Sequence, residues 1–345
     1  MQKIGFGVIG TGILGNLHAT VYQRLAAAEL VAVCDVDAAR AKDAAEKFGA
    51  RAHYVDYADL LNNPDIQAVS IATPDFAHKE IAVAAAQAGK HILCEKPLAT
   101  TVTEAQEIVD AAAAAGVKLM VDFHNRVNPP IVAAQQAIAA GELGQPAYGY
   151  ARLSNTTFVP QEMLSWAAKS SALWFLCCHT VDMMRFLLND EVTRVYGVNR
   201  AGILRKLGVD TPDFHVAIAE FSRGTVVTFE NAWILPRSQP IVYDFKVEIL
   251  GSDGAIYIDP SHHRALEKHT DSRLSYGDIT GITPTGDARI GGFMLESIAR
   301  FVDAVAHNAP LLATGADGVA ATRVLCAMNE SAETGQPVDL APARG

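Results

Sequence analysis

The chain has 345 residues, of which 50% are hydrophobic and 19% are charged, and its formal net charge is −10. This length predicts two domains, and the composition is typical of a globular rather than a disordered protein. The negative charge disfavours nucleic acid as a main partner, because binding phosphates requires a basic surface.

The sequence also bears on the compartment. The opening residues, MQKIGFGVIG, lack the long apolar core and cleavage site of a signal peptide. No run approaches the ~18 uninterrupted apolar residues that would predict a membrane span. An odd number of irregularly spaced cysteines favours reduced, buried thiols; they are Cys34, Cys94, Cys177, Cys178 and Cys326. We therefore expect a cytoplasmic protein that does not contact membranes.

The first apolar run predicts a buried strand over residues 4–9, followed by a GxGxxG motif and a helix over 16–28. Gly10 permits the tight turn, Gly12 lets the backbone approach a pyrophosphate, and Gly15 lets helix and strand pack closely. The remaining residues of the motif are Thr11, Ile13 and Leu14. Because the motif follows a strand and opens a helix, it predicts a dinucleotide site.

The next predicted strand, over 30–34, ends at Asp35, which lies 20 residues after Gly15. This is the expected distance for the acid that binds the ribose hydroxyls of the cofactor. A carboxylate there repels a 2′-phosphate, and Val36 offers no group that would bind one. We therefore predict NAD rather than NADP, although the nearby Arg40 weakens the preference.

Strands and helices continue to alternate up to residue 123. The pattern predicts helices over 38–48, 76–88 and 103–115, and buried strands over 68–72, 91–94 and 117–121. Such alternation implies right-handed crossovers and a doubly wound parallel sheet, that is, an α/β Rossmann domain over residues 1–123.

The stretch Cys94-Glu95-Lys96-Pro97 closes one of these strands. Pro97 ends the strand because it has no amide donor. Ligands lie at the carboxyl ends of strands in such sheets, so Lys96 is a candidate to hydrogen-bond and polarise a substrate oxygen. The alternative is a surface Glu-Lys pair before a turn.

Two blocks make the sequence recognisable: residues 71–78, IATPDFAH, and residues 88–99, AGKHILCEKPLA. With the glycine motif, they resemble the Gfo/Idh/MocA oxidoreductase family, glucose–fructose oxidoreductase and inositol dehydrogenase among them. The resemblance implies that Thr73, Pro74 and His78 lie near the cofactor, with Glu95 and Lys96 near the nicotinamide. Without it, His78 would be interpreted as a helix-surface histidine. Some relatives have a cis bond between the equivalents of Lys96 and Pro97.

The second half predicts an α+β domain over 124–345, with a mostly antiparallel open sheet. Strands with alternating polarity are expected over 147–153, 195–199, 215–221, 225–233, 245–250 and 255–258, and helices over 131–140, 294–306 and 318–331. The last two helices could pack back on the first domain. The resemblance implies substrate binding by this domain and a homodimer or homotetramer formed through its sheet. Arg126, near its start, is either a substrate or cofactor contact or part of a structural salt bridge.

The poorly patterned segment 260–292 contains His262, His263 and His269. Adjacent histidines do not readily bind one ion, and no Cys or carboxylate partner has ligand spacing, so no metal is predicted. A solvated loop or an oligomer arm is the favoured interpretation.

An apolar helix is predicted from Leu173 to Leu188 and contains His179. The resemblance implies that this histidine faces the nicotinamide and Lys96, usually with an aspartate four residues earlier on the same helical face. Here that position is Phe175. Asp182 is a neighbour of His179 at i+3, but a structural pair with Arg185 is favoured over a catalytic role.

Together these features predict an NAD-dependent dehydrogenase that oxidises a secondary alcohol of a sugar, cyclitol or sugar derivative. His179 would take the hydroxyl proton, while Lys96 would polarise the oxygen. Trp166, Phe175 and Asp182 are candidate substrate contacts, and ordinary loop packing is the alternative for Trp166. Two other functions stay open: redox-assisted glycoside cleavage with retained NAD, and a non-catalytic NAD or sugar sensor.

Overall fold

A computed structural model describes residues 3–261, 267–270, 273–276 and 292–340. Its strands run, in chain order, β1 Ile4–Ile9, β2 Ala28–Cys34, β3 Ala52–Tyr54, β4 Ala68–Ile71, β5 His91–Cys94, β6 Leu119–Val121, β7 Pro146–Asn155, β8 Val192–Arg200, β9 Phe214–Phe221, β10 Val226–Ala232, β11 Tyr243–Gly251, β12 Ala255–Ile258, β13 Glu267–Thr270, β14 Arg273–Tyr276 and β15 Val338–Asp339.

The α-helices are α1 Ile13–Arg24, α2 Ala38–Phe48, α3 Tyr57–Leu61, α4 His78–Gln87, α5 Val102–Ala115, α6 Pro129–Ala139, α7 Cys178–Leu188, α8 Ile203–Lys206, α9 Phe293–His307 and α10 Gly315–Thr334. Within the described ranges, none of these helices combines the length and apolar character needed to cross a bilayer. The chain divides into two compact units, Met1–His124 with Ile282–Val319, and Asn125–Gly281 with Ala320–Gly345.

The first unit contains a six-stranded sheet in the order β3-β2-β1-β4-β5-β6. Every pairing in it is parallel. The predicted α/β Rossmann architecture is thus confirmed. The order reverses between β1 and β4, so their carboxyl ends flank the crevice in which doubly wound sheets bind ligands.

Local sequence explains where the crossover helices begin and end. The Asp37 side chain accepts hydrogen bonds from the amides of Ala39 and Arg40 at the start of α2, and Gly49 ends that helix at a φ of 69°. Side-chain acceptors at the N-terminus and a left-handed glycine at the C-terminus satisfy groups that the helix itself leaves unbonded.

The core of the first unit is built on aromatic packing from three elements. The ring of Phe6 on β1 stacks on Tyr22 of α1, with ring centroids 4.2 Å apart, and meets Phe301 of α9 edge-on at 6.2 Å. All three residues are fully buried. The late helix α9 therefore belongs to the core of the first unit.

The second unit contains a seven-stranded sheet in the order β12-β11-β7-β10-β9-β8-β15. Its pairings are antiparallel except for β7 with β10, which is parallel. The prediction of a mostly antiparallel open sheet is confirmed. Helix α7 contributes an almost entirely buried run to the same unit.

Several boundaries differ from the sequence prediction. Helix α1 ends at Arg24, because Ala28 already pairs with Ile4 in the sheet. The short β3 and α3 were not predicted, since neither contains a long enough periodic pattern. The stretch before α7 forms a π-helix, Leu173–Cys177, rather than continuing one α-helix.

The predicted loop over 260–292 lies largely outside the described residues, including His262 and His263. Within it, β13 and β14 pair as an antiparallel ribbon. The side chain of His269 is not among the described ones, so the interpretation of this segment stays a prediction.

Candidate active site

The glycine motif has the geometry that a dinucleotide site requires. Gly10 has a φ of +92°, which side chains rarely tolerate, and a Cβ on Gly15 would lie 1.7 Å from the Gly10 carbonyl oxygen. A Cβ on Gly12 would instead meet nothing within 4 Å. Conformation therefore requires glycine at position 10, close packing requires it at position 15, and the space beside Gly12 is open.

The open space adjoins the N-terminus of α1. Gly12 caps this helix without a side-chain hydrogen bond, and its first turn contains no acidic residue. The amide groups there carry the positive end of the helix dipole. Uncapped amides beside an open glycine form a cradle that suits a pyrophosphate.

Asp35 is buried at the end of β2 and is held by four donors. Its Oδ2 accepts from the amide and the hydroxyl of Thr11, each at 2.9 Å, and its Oδ1 accepts from the Asp37 amide at 3.0 Å. The Arg40 guanidinium, which is half exposed, lies 3.0 Å from the same Oδ1. Asp35 thus links the glycine loop to α2, and the half-exposed Arg40 side chain contacts its outer oxygen. Val36 is 89% exposed.

His78 joins two predicted cofactor loops. Its Nδ1 lies 2.8 Å from the carbonyl oxygen of Pro97 and its Nε2 lies 3.0 Å from that of Thr73. The ring is 1% exposed, so it is not the helix-surface histidine that local pattern alone would suggest. His78 fixes the loop that follows β4 to the loop that follows β5.

Glu95 and Lys96 follow β5, and both are buried. The Lys96 amide donates to Oε2 of Glu95 at 3.2 Å, and the Lys96–Pro97 bond is cis. The lysine therefore lies at the carboxyl end of a central strand, on the ligand-binding edge of the sheet.

The first unit fits a dinucleotide on observations of its own. The hydroxyl oxygen of Thr73 is buried and has no hydrogen-bond partner among the described residues. Thr73 lies after β4 and Gly12 lies after β1, so an unsatisfied hydroxyl and an open cradle flank the same crevice. A buried polar atom without a partner is costly, and a bound cofactor would supply one.

In the second unit, His179 lies in the first turn of α7 and is 8% exposed. The π-helical turn that precedes it is a rare conformation found often at functional sites. Phe175 lies within this turn. Sequence periodicity did not reveal the turn, because the apolar run is equally compatible with an ordinary helix.

Phe175 belongs to an aromatic cluster with Trp166 and Trp233. The rings of Trp166 and Phe175 meet edge-on with centroids 6.1 Å apart, and Phe175 and Trp233 lie 5.8 Å apart. Trp233 is fully buried. Sequence reasoning named Trp166 and Phe175 separately, and the structure brings them together.

Arg126 and Asp182 form a bidentate ion pair. Arg126 Nε donates to Oδ2 at 2.9 Å and its Nη2 donates to Oδ1 at 2.6 Å, with the two side chains 9% and 1% exposed. Arg185 Nη1 is more distant, at 3.8 Å from Asp182, and binds Glu191 instead. Asp182 therefore has the structural partner that was expected, but the main one is Arg126.

Two buried groups in the first unit, His18 and Asp122, were not predicted as part of any site. His18 of α1 lies 3.2 Å from Glu95 and 3.7 Å from Asp122, measured from Nε2 to the nearest carboxylate oxygens. His18 is fully buried within an apolar run. A histidine on the inner face of the nucleotide-binding helix was the available sequence signal.

Family models match both parts of the chain. One, described as an oxidoreductase family with an NAD-binding Rossmann fold, matches residues 4–123. Another, the GFO/IDH/MocA C-terminal domain, matches residues 131–257.

The relatives include proteins named as dehydrogenases and as a reductase. The chain is 31% identical to inositol 2-dehydrogenase 3 of Saccharopolyspora erythraea, over 99% of this chain and 96% of that protein. It is 26% identical to 1,5-anhydro-D-fructose reductase of Ensifer adhaerens, over 97% and 98%. Levoglucosan dehydrogenase, solved with NADH and levoglucosan, superposes with a TM-score of 0.82 at 28% identity, covering 98% of this chain and 99% of that one. The chain belongs to the Gfo/Idh/MocA family of NAD-binding oxidoreductases.

Proposed function

We propose that the protein is an NAD-dependent dehydrogenase that oxidises a secondary alcohol of a sugar, cyclitol or sugar derivative. The observation that carries the proposal is the pairing of a dinucleotide cradle with Lys96 at the carboxyl end of β5. The relatives act on inositol, anhydrofructose and levoglucosan according to their names, which supports a polyhydroxylated substrate.

In this proposal, bound NAD would supply the acceptor for the hydride of the carbinol carbon. Lys96 donates a hydrogen bond to the substrate oxygen and stabilises the charge that develops there. His179 takes the hydroxyl proton, since imidazole has an ordinary pKa of about 6.5 and is an effective base near neutral pH. Phe175 supplies no carboxylate, so we assign proton transfer to Lys96 and His179 alone.

The remaining site residues are assigned by location. Gly10, Gly12 and Gly15, together with Thr11, Ile13 and Leu14, form the pyrophosphate loop. Asp35 and Val36 would lie beside the adenosine ribose, Thr73, Pro74 and His78 would lie near the cofactor, and Glu95 would lie near its nicotinamide end. Arg126, Asp182 and Trp166 are assigned to the supporting structure of the substrate domain.

NAD is proposed over NADP because of Asp35. Its Oδ1 is the outer oxygen, which the half-exposed Arg40 and the Asp37 amide contact. Movement of Arg40 would free that oxygen for the ribose hydroxyls, whereas a 2′-phosphate would meet a carboxylate. We expect kcat/KM for NAD to exceed that for NADP by about tenfold or more, equivalent to about 1.4 kcal/mol.

Replacement of Lys96 tests the function. Lys96→Met keeps the length and apolar stem of the side chain, so we expect loss of turnover with NAD affinity retained. Formation of NADH is followed by absorbance with aldoses, cyclitols and sugar acids, and NAD binding is measured by calorimetry. Full activity of Lys96→Met would contradict the assigned role. A folded protein that binds NAD but oxidises nothing in the panel would contradict the proposed reaction.

The sheet of the second unit supports the proposed homodimer or homotetramer. Register places Tyr196, Ile218, Tyr148, Leu250 and Tyr257 on one face, and each is at least 37% exposed. Large exposed apolar side chains that share one face mark an association surface. Light scattering should give the mass of a dimer or tetramer, and Ile218→Lys should lower it. A monomeric mass at micromolar concentration would contradict this assignment.

A further inference from the structure

Three titratable side chains meet inside the first unit, behind Lys96. His18 comes from α1, Glu95 from the end of β5, and Asp122 from the end of β6; each is at most 3% exposed. Two carboxylates so close to one histidine, and removed from water, cannot both be ionised without a large cost.

The hydrogen bonds around His18 determine which of its nitrogens carries a proton. The buried Tyr22 hydroxyl lies 2.5 Å from Ser70 Oγ, and Ser70 Oγ lies 2.8 Å from His18 Nδ1. Burial raises the pKa of Tyr22 well above its usual value, so the phenol stays protonated and can donate to Ser70. Nε2 of His18 faces the Glu95 carboxylate at 3.2 Å; because an ionised carboxylate only accepts hydrogen bonds, we place the proton of His18 on Nε2. In this arrangement Tyr22 donates to Ser70, and Ser70 donates to Nδ1.

The two carboxylates have different partners. Glu95 accepts from His18 through Oε1 and from the Lys96 amide through Oε2. Asp122 has the hydroxyl of Ser297 as its partner. The environment of Glu95 therefore favours a carboxylate anion, whereas that of Asp122 is compatible with a carboxylic acid.

The charges that face the cluster agree with this division. Burial opposes ionisation of Glu95, but its hydrogen bond with His18 and the charge of Lys96 lower its pKa. Burial and the charge of Glu95 raise the pKa of Asp122 to about 7, against the opposing effects of Ser297 and Lys96. Burial lowers the pKa of His124 to about 4, so this neighbouring ring is neutral near pH 7.

We propose that His18 is a positioning residue for Lys96. By donating a hydrogen bond to Glu95, it keeps that carboxylate ionised and in contact with the Lys96 amide. The one proton shared by the two buried carboxyl groups is then held by Asp122. The ligand atoms of the three residues lie within 4.8 Å of one another. Both His18 nitrogens already have hydrogen-bond partners, so the arrangement needs no metal ion. The catalytic consequence rests on the proposed dehydrogenase function, whereas the protonation states do not.

The backbone amide of Lys96 reports the state of Glu95 without any substrate. Protein labelled with 15N-lysine gives this resonance, and the absence of the signal from the spectrum of Lys96→Arg assigns it. In the wild type we expect the Lys96 amide proton to keep the shift of a donor to a carboxylate from about pH 8 down to about pH 5, because Glu95 stays ionised. In His18→Leu the resonance should move upfield over that range, because Glu95 then takes up the proton.

Two further variants make this comparison specific. His18→Gln keeps a donor near the position of Nε2 and should restore most of the wild-type profile. Ser297→Ala removes an equally buried hydrogen bond from the Asp122 side only, and should leave the Lys96 amide unchanged. An identical Lys96 profile in wild type and folded His18→Leu would overturn the proposal.

A wild-type measurement covers the case in which His18→Leu fails to fold. Carboxyl carbons labelled in Asp and Glu are assigned through Asp122→Asn and Glu95→Gln. We expect Glu95 to resonate as a carboxylate and Asp122 as an acid at about pH 5. The reverse assignment would overturn the proposal.

Activity then separates positioning from the proposed reaction. In His18→Leu we expect kcat to fall by up to about 100-fold, because small displacements of a reacting group have effects of this size, with the dissociation constant of NAD nearly unchanged. An enzyme that shows the expected resonances but has no dehydrogenase activity would contradict the proposed function and leave the protonation scheme intact. An active dehydrogenase in which the resonances of Glu95 and Asp122 are reversed would contradict the protonation scheme and leave the proposed function intact.

Discussion

Removal of the Asp182 carboxylate should destabilise the second unit strongly. The carboxylate receives two hydrogen bonds from Arg126, at 2.9 and 2.6 Å, and the two side chains are 9% and 1% exposed. Breaking a buried ion pair from one side costs about 3 to 5 kcal/mol, because the remaining charge is left without its partner. Asp182→Asn keeps the shape and one acceptor, so we expect about 3 kcal/mol.

Intrinsic fluorescence can measure this loss selectively. All three tryptophans, Trp166, Trp174 and Trp233, lie in the second unit, so urea unfolding followed by tryptophan emission reports on that unit. With a denaturant slope of about 1 to 3 kcal/mol per molar, a loss of 3 kcal/mol lowers the midpoint by about 1 to 3 M.

Controls in the same unit separate a structural from a catalytic role. The exposed pair Arg205–Asp210, at 2.7 Å, provides Asp210→Asn, which should cost less than about 1 kcal/mol. The double variant Arg126→Met/Asp182→Leu removes both charges and should recover most of the lost stability. If Asp182→Asn shifted the midpoint no more than Asp210→Asn and yet abolished kcat, the carboxylate would belong to the chemistry and our reasoning would be refuted.

Three other predictions concern the first unit. Arg40→Ala frees Oδ1 of Asp35 and should lower KM for NAD while raising the NAD-to-NADP ratio of kcat/KM; an unchanged ratio in steady-state kinetics would contradict it. Gly15→Ala places a Cβ 1.7 Å from the Gly10 carbonyl oxygen, so calorimetry should show NAD binding lost or strongly weakened. The pKa of Asp122 is raised to about 7 in the folded protein, so the folded state binds a proton on this carboxyl group more tightly than the unfolded state does. Its contribution to stability is fully present below the unfolded pKa of about 4 and is lost as pH rises through about 7. Relative to wild type, Asp122→Asn should therefore gain stability over that range in urea unfolding followed by circular dichroism.

Much of the first unit could be predicted because its signals are local. A glycine at each tight point, a carboxylate 20 residues on, and a proline after a strand each fix the backbone within a few residues. Gly10 and Gly15 are required by conformation and packing at the positions that the motif indicates. Strand β3 and helix α3 were missed because they contain too few residues to show a period.

The side-chain partners could not be predicted, because they join residues far apart in sequence. Asp182 had Arg185 as a visible neighbour at i+3, but its main partner, Arg126, lies 56 residues earlier. His78 was assigned by resemblance alone, and its close contacts with two backbone carbonyls depend on how two loops fold. The cluster of His18, Glu95 and Asp122 likewise draws on three separate elements.

Position 175 shows how such partners bear on chemistry. Phe175 packs between Trp166 and Trp233, so an aspartate there would place a carboxylate against two aromatic rings. Burying a charge without a partner is costly, and this environment would raise the pKa of such a carboxyl group. The phenylalanine therefore matches its surroundings, and the apolar character belongs to the cluster rather than to one residue.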